Sequence, residues 1–532
     1  MTPPSRQGPP LPDPMTIAPR VTPQPPTPRL PQDAAGWAPG NKFLEGPFTP
    51  WTEEDGAYDL EVDGQIPGDL AGALFRISSN PRFTPRDPDR YHWWEGDGMV
   101  CGIYLREGRA AYRTRWVMTD SMKFEVEQGE AVYGGFANGG TTAPLPAAAP
   151  PAKNVANTNV GIFDDHLLVY YEGGLPYSMH PETLETYGSY DFHGGIDVLC
   201  TAHYKIDPDS GDMLFFAATG PTITWYRADV RTGQVVDSHS FDIKVPVLMH
   251  DFAVTDNYAV FFVTPAQFRL DHIMRGEPGV VWDEASLPHG VQIVLMNRRT
   301  HAVSWHEVGG HWANTHFYNA YEDDGHVVID GHRITRLGTP ADRLDTPVTS
   351  HSWFPPSVPH RWRVDLATGR ATEELVGGVA GEFPRINDAY TGRRHRYGYF
   401  VTTRYLADDT MSDGLAKHDA LRDSTTVVEG PDHLTNPGEP VFVARENAVA
   451  EDDGYLLTLW WNRETGLSEL LVHDAADLRR TPVARVKLPS RVPFGFHGNW
   501  ADRTTLDRAV AARSWVGRSV QPGSQPNRTR RG

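Results

Sequence analysis

Of the 22 histidines in the chain, four stand in settings unlike the others. His203 lies in Thr201-Ala202-His203-Tyr204-Lys205 and His250 in Met249-His250-Asp251-Phe252. His316 lies in Asn314-Thr315-His316-Phe317-Tyr318, and His497 in Phe494-Gly495-Phe496-His497-Gly498-Asn499-Trp500. Each borders apolar or aromatic residues and a strand-like run. Imidazole suits iron, copper, zinc and nickel alike, so residue type leaves the ion open. No pair has the His-Glu-x-x-His spacing of a helix-borne zinc site. A shared ion therefore requires a fold that gathers distant strands at one point. Four neutral imidazoles would leave a divalent ion its full charge. Carboxylates that accept the remaining ring N–H groups offset that charge and orient the rings. Glutamates in apolar, strand-like settings are the candidates: Glu172 after Val169-Tyr170-Tyr171, Glu382 in Gly381-Glu382-Phe383-Pro384, and Glu439 in Gly438-Glu439-Pro440-Val441-Phe442.

The elements that must position these groups read as β. Short runs of β-branched and aromatic residues recur, such as Leu167-Leu168-Val169-Tyr170-Tyr171, Ala259-Val260-Phe261-Phe262-Val263 and Tyr455-Leu456-Leu457-Thr458-Leu459. Turn clusters such as Asp323-Asp324-Gly325 and Asp452-Asp453-Gly454 separate them. Amphipathic helical stretches are scarce. Many short strands over more than 400 residues suggest a radial structure, since a propeller leaves only short, protected sheet edges. Its axis would bring together histidines at the inner ends of separate strands. No strict repeat is visible, so the blades must have diverged. Residues 1–40 are crowded with proline and poor in large apolar residues, and are expected to be a disordered extension. Met15 is a second candidate start. Residues 41–510 are expected to form one propeller domain, and 511–532 a flexible tail.

Composition narrows the partners. A net charge of −19 over 532 residues should repel nucleic acid and anionic headgroups. No run is long and apolar enough to span a bilayer, and the N-terminus lacks a signal-peptide pattern. Two cysteines give no disulfide framework. A cytoplasmic protein is expected, with any membrane contact hydrophobic and peripheral.

Taken together, these segments resemble the carotenoid cleavage oxygenase family. The resemblance runs from Ile66-Pro67-Gly68-Asp69-Leu70 through Asp97-Gly98-Met99-Val100 and Ala156-Asn157-Thr158-Asn159 to Phe496-His497-Gly498-Asn499-Trp500. It also includes Glu382-Phe383-Pro384-Arg385 and Glu451-Asp452-Asp453-Gly454, in family order, and covers roughly residues 45–502. It implies an all-β, seven-bladed β-propeller under a dome of loops and helix, with the metal site on the axis. It further implies one iron(II) per chain on His203, His250, His316 and His497, and O2 as co-substrate. Glu172, Glu382 and Glu439 match the carboxylates that hold three of the rings. Thr158 matches a residue whose methyl restricts one open coordination position.

The implied reaction is cleavage of a C=C bond to two carbonyl products. A polyene offers few hydrogen-bonding groups, so apolar and aromatic walls should select it. Tyr171, Phe317, Phe496, Phe136 and Trp94 are the candidate wall residues. The stilbene-cleaving branch of the family generally carries a lysine where this chain has Tyr171, and a tyrosine where it has Phe136. Both departures remove phenol-binding groups and favour a carotenoid or apocarotenoid over a phenolic stilbene such as lignostilbene or resveratrol. Two further departures, Thr315 where many relatives have an aromatic residue and Tyr204 where many have proline, are expected to reshape the tunnel. The apolar segment Phe268 to Pro288, with Ile273, Met274, Val280, Val281, Trp282 and Leu287, is a candidate rim for a tunnel mouth facing a bilayer.

Overall fold

In the strand Tyr258–Val263 both faces are buried. Ala259, Phe261 and Val263 pack in one hydrophobic cluster with Phe216 and Trp225. Val260 and Phe262 pack in another with Ile329 and Trp362. A strand sandwiched between two sheets needs apolar residues on both faces, which accounts for its unbroken apolar run. The same arrangement repeats around a ring. The computed structural model describes residues 40–336, 357–403 and 411–512, and these form seven antiparallel sheets stacked face to face as a propeller. The expected extension 1–40 and tail 511–532 lie outside the described residues, apart from Gly40, Ala511 and Ala512.

From axis to rim, the second blade comprises Asn159–Phe163, His166–Tyr170, Tyr177–Met179 and Thr186–Ser189. The third comprises Lys205–Ile206, Met213–Thr219, Thr222–Ala228 and Val235–Asp242, and the fourth Ala253–Val254, Tyr258–Val263, Gln292–Asn297 and Val303–Glu307. The fifth runs from Ala313–Asp323 through His326–Ile334 and Val358–Asp365 to Ala371–Leu375. The sixth runs from Gly381–Arg385 through Tyr397–Thr402 and Gly414–Asp419 to Ser424–Val428. Burial falls off toward the rim: Val235–Asp242 alternates half-buried with exposed residues.

The ring is closed by pairing strands from early in the sequence with strands from late in it. In the first blade the axial strand is Gly495–Asp502, paired with Gly72–Asn80 at the opposite end of the sequence. In the seventh, the rim strand Val62–Gly64 pairs with Ala484–Lys487, and Val441–Ala444 lies at the axis against Gly454–Asn462. Closure needs close backbone approach: a Cβ at Gly495 would fall 2.0 Å from the Ile77 carbonyl oxygen.

Apart from single 3-10 turns, helix is confined, among the described residues, to the α-helices Asp120–Gln128, Leu270–Met274 and Arg503–Ala511. Thr119 caps the first by accepting from Met122 N, and Gly129 ends it in a left-handed conformation. No helix of the described residues is long and apolar enough to cross a membrane. The apolar segment between the second and third histidines is a hairpin, Ala266–Phe268 with Val280–Trp282, carrying the short helix at its tip. Of the expected rim residues Val280 and Leu287 are buried, whereas Met274 is 75 % exposed, as is Leu270 at 63 %.

Candidate metal centre

Every blade sends a residue to one point on the axis. His203 and His250 precede the axial strands of blades three and four, and His316 and His497 lie within those of blades five and one. Thr158 precedes the axial strand of blade two, Glu382 lies within that of blade six, and Glu439 precedes that of blade seven. Glu172 follows the second strand of blade two. The pairing slips between Asn314 and Phe317, and again between Glu382 and Arg385. Such bulges re-aim side chains. The second holds Phe383 at a φ of 56°, a strained conformation for a bulky residue that clusters at functional sites. Its ring stacks on His316 at 5.6 Å and meets His497 edge-on at 5.4 Å.

One ring nitrogen from each histidine lies within 4.8 Å of the other three. His250 Nε2 is 3.2 Å from His203 Nε2 and 3.1 Å from His316 Nε2. The Nδ1 atoms of two rings are spoken for: His316 Nδ1 lies 2.7 Å from Glu382 Oε2 and His497 Nδ1 2.9 Å from Glu439 Oε1. That fixes the tautomer, with Nδ1–H donating and Nε2 left as a bare lone pair. Lone pairs facing each other at this distance repel unless a cation stands among them. Nitrogens about 2.1 Å from one ion and at right angles would lie roughly 3 Å apart. His497 Nε2 is moreover buried with no hydrogen-bond partner among the described residues. The donor set fits a divalent first-row ion.

The three carboxylates are held differently. Burial raises the pKa of Glu439, but Arg385, His497 and Arg76 outweigh it and keep the group ionised. Arg385 Nη1 is 3.2 Å and Arg76 Nη1 3.3 Å from Oε2, which also accepts from Gly498 N at 3.0 Å. Glu382 is likewise pulled below the usual carboxylate range, here against burial by His316, His332 and the Thr315 hydroxyl, which donates to Oε1. Glu172 Oε1 lies 2.7 Å from His250 Nδ1 but off the line a hydrogen bond prefers, so it is a close contact rather than an aligned bond. Burial lowers the His250 pKa, but Glu172, with smaller help from Asp251 and Glu382, outweighs it and the net shift is upward. For His497 burial outweighs Glu439, leaving its pKa near 4. His203 has no such carboxylate. The nearest, Asp251, is 3.9 Å from its Nδ1 and is taken up by Lys205 Nζ, Phe252 N and Phe317 N.

Two cavities meet at this cluster. One, of about 330 Å³, is bounded mainly by apolar groups. It is lined by Trp94, Phe136, Thr158, Tyr171 and Phe496. The Thr158 hydroxyl donates to Asn157 Oδ1 at 3.1 Å, and the residue borders the cavity. Burial and the neighbouring Glu172 push the Tyr171 phenol well above its ordinary pKa, so it stays protonated, and among the described residues no hydrogen bond occupies its hydroxyl. Glu95 ties two walls together by accepting from Ala137 N at 2.6 Å and from His92 N, and burial pushes its pKa up to about 7.

Phe317 is the sequence-predicted wall residue that the structure places elsewhere. It is 4 % exposed, packs edge-on against Phe262 at 5.0 Å, and borders the other cavity. The reason is directional. Along each axial segment, residues before the ligand face the apolar cavity and residues after it face the polar one: Phe496 against Asn499, Ala313 against Asn319, Met249 against Asp251. Phe317 follows His316. Arg76 carried no local signal, because it lies 363 residues from Glu439. Asp251 and Thr315 did carry one, being chain neighbours of His250 and His316.

A sequence profile of the family described as retinal pigment epithelial membrane protein matches residues 48–502. Lignostilbene-α,β-dioxygenase isozyme III of Sphingomonas paucimobilis is 30 % identical over 510 residues, covering 89 % of this chain and 99 % of the relative. Carotenoid 9,10(9′,10′)-cleavage dioxygenase 1 of Phaseolus vulgaris is 31 % identical over 495 residues, covering 86 % and 88 %. The structure of a cobalt-substituted apocarotenoid oxygenase of Synechocystis superposes with a TM-score of 0.78 at 27 % identity, over 87 % of this chain and 98 % of that one. With a propeller of the same build and a profile match over nearly all the described residues, the chain belongs to the carotenoid cleavage oxygenase family.

Proposed function

We propose that this chain is an iron(II)-dependent oxygenase that cleaves one C=C bond of a carotenoid or apocarotenoid with O2, giving two carbonyl products. The observation that carries the reading is a four-imidazole cluster opening onto an apolar cavity of about 330 Å³. A ferrous ion on His203, His250, His316 and His497 would supply the binding and activation of O2. The protein's part is placement. Trp94, Phe136 and Phe496 offer the alkene apolar and aromatic surface and exclude water. The Thr158 methyl narrows the space beside the imidazoles. No general base or nucleophile is needed, since both oxygen atoms can enter the two carbonyl products without proton transfer from the protein. The names borne by relatives support oxygenase chemistry on both carotenoids and stilbenes.

The free Tyr171 hydroxyl, at the edge of Glu172, favours a second reading in which a phenolic stilbene is cleaved. One panel separates the two: protein loaded anaerobically with iron(II), then given O2 with β-apo-carotenals, full-length carotenoids, resveratrol or isoeugenol, and the aldehydes identified by mass. Polyene aldehydes are expected, and benzaldehydes alone would establish the second reading instead. His250→Ala is expected to lose both the stoichiometric iron and turnover. Activity that survives removal of iron would refute the proposal. The substrate is taken to arrive from a bilayer by peripheral contact, since Phe268, which lines the cavity, is continuous with exposed Leu270 and Met274.

A further inference from the structure

The second cavity, of about 250 Å³, lies beyond the imidazoles from the apolar one. His203, His316 and His497 form its inner end, and His497, only 4 % exposed, has an Nε2 without a hydrogen-bond partner among the described residues. His316 and Phe383 line both cavities and so form the partition. The outward walls are polar. Their charged side chains are two cations, Lys205 and Arg385, against four carboxylates, Asp251, Glu439, Asp388 and Asp502. Lys205 is paired with Asp251 at 2.9 Å, and Arg385 is shared between Glu439 at 3.2 Å and Asp388 at 3.4 Å while buried Arg76 also holds Glu439 at 3.3 Å, so the remaining negative charge sits at the outer end, with Asp388 and Asp502. The cavity reaches the surface there: the Asp388 side chain is 69 % exposed and Asp502 is exposed as well.

A metal ion must reach four buried nitrogens. A hydrated dication is rejected by apolar walls, because stripping or burying its water shell is costly. A narrow passage of excess negative charge between low-dielectric walls concentrates cations instead. We propose that this polar axial cavity is the route by which a hydrated divalent metal ion reaches the histidines, from the side opposite the substrate cavity. The inference rests on the four imidazoles holding a metal, and goes beyond that reading in separating the ion's route from the substrate's.

The test is the rate at which folded apoprotein takes up Co2+, followed by metal analysis after rapid desalting. Asp388→Lys reverses charge at the mouth, and Thr391→Trp, at a half-buried residue of the same wall, narrows it. Each is expected to slow uptake about tenfold or more, Asp388→Lys by loss of electrostatic focusing and Thr391→Trp by obstruction, while the final content stays at one ion per chain. Filling the apolar cavity with dodecanol is expected to leave the rate unchanged. Unchanged rates in both variants, or uptake slowed by dodecanol, would overturn the route. Wild-type apoprotein that binds no Co2+ even at equilibrium would instead overturn the metal reading beneath it. Circular dichroism melting of the variants distinguishes a blocked passage from a damaged fold.

Discussion

Glu382 and Glu439 each hold a histidine through Nδ1, yet their surroundings predict different failures. Glu382 is supported by a hydroxyl and a backbone N–H, Thr315 and Phe383 N. Replacing it with glutamine should chiefly disorient His316 and cost metal affinity about 10- to 100-fold, read by chelator competition, with little change in melting temperature. Glu439 is also the counter-ion of Arg76, which is 5 % exposed, and of Arg385. Glu439→Gln should therefore cost metal affinity and, in addition, on the order of 3–5 kcal/mol of stability, because breaking a buried pair leaves a charge without compensation. Equal melting curves for the two variants would contradict this division. Tyr171 separates substrates rather than holding metal. Tyr171→Phe is expected to leave kcat/KM for an apocarotenal unchanged and to lower it only for a phenolic substrate.

Among the elements, the axial strands carried most of what was legible. The four histidines and three glutamates sit in short local motifs, and local motifs survive divergence of the blades around them. Which wall a side chain joins was less legible, because that depends on strand direction through the ring and on bulges at Asn314–Phe317 and Glu382–Arg385. Phe496 and Phe317 each touch a ligand in sequence, but one precedes and the other follows it, and they fall in different cavities. Contacts such as Arg76 with Glu439 arise only once the ring closes. The closing strand makes its own prediction. Gly495→Ala forces a Cβ against the Ile77 carbonyl, and overpacking of this kind is expected to cost roughly 1–3 kcal/mol in denaturant unfolding.

For the whole molecule, acid is the exposed flank. His473, in the buried strand Ser468–Asp474, is 3 % exposed, and among the described residues neither ring nitrogen has a partner. Burial lowers its pKa to about 4. A histidine held below its unfolded value contributes stability above that value and loses it as pH falls from about 6.5 toward 4. Between pH 7 and 5 the loss should be about 2 kcal/mol. His473→Leu should remove that part of the pH dependence in urea unfolding series, and an unaltered slope would count against it. At the mouth of the apolar cavity, Leu270→Asp with Met274→Asp should abolish flotation with neutral liposomes, and undiminished flotation would discard the bilayer contact.

The double closure of the ring has a consequence for how the protein is made. Among the described strands, the one that supplies His497 comes last in chain order, and it pairs with Gly72–Asn80, among the earliest. A growing chain can present His203, His250 and His316 early, but the fourth nitrogen and the wall behind it exist only once the axial strand of the first blade has emerged and paired. A metal captured earlier would sit in an open three-ligand site. A finished ring that can still be filled from its polar end removes the need to catch the ion during synthesis.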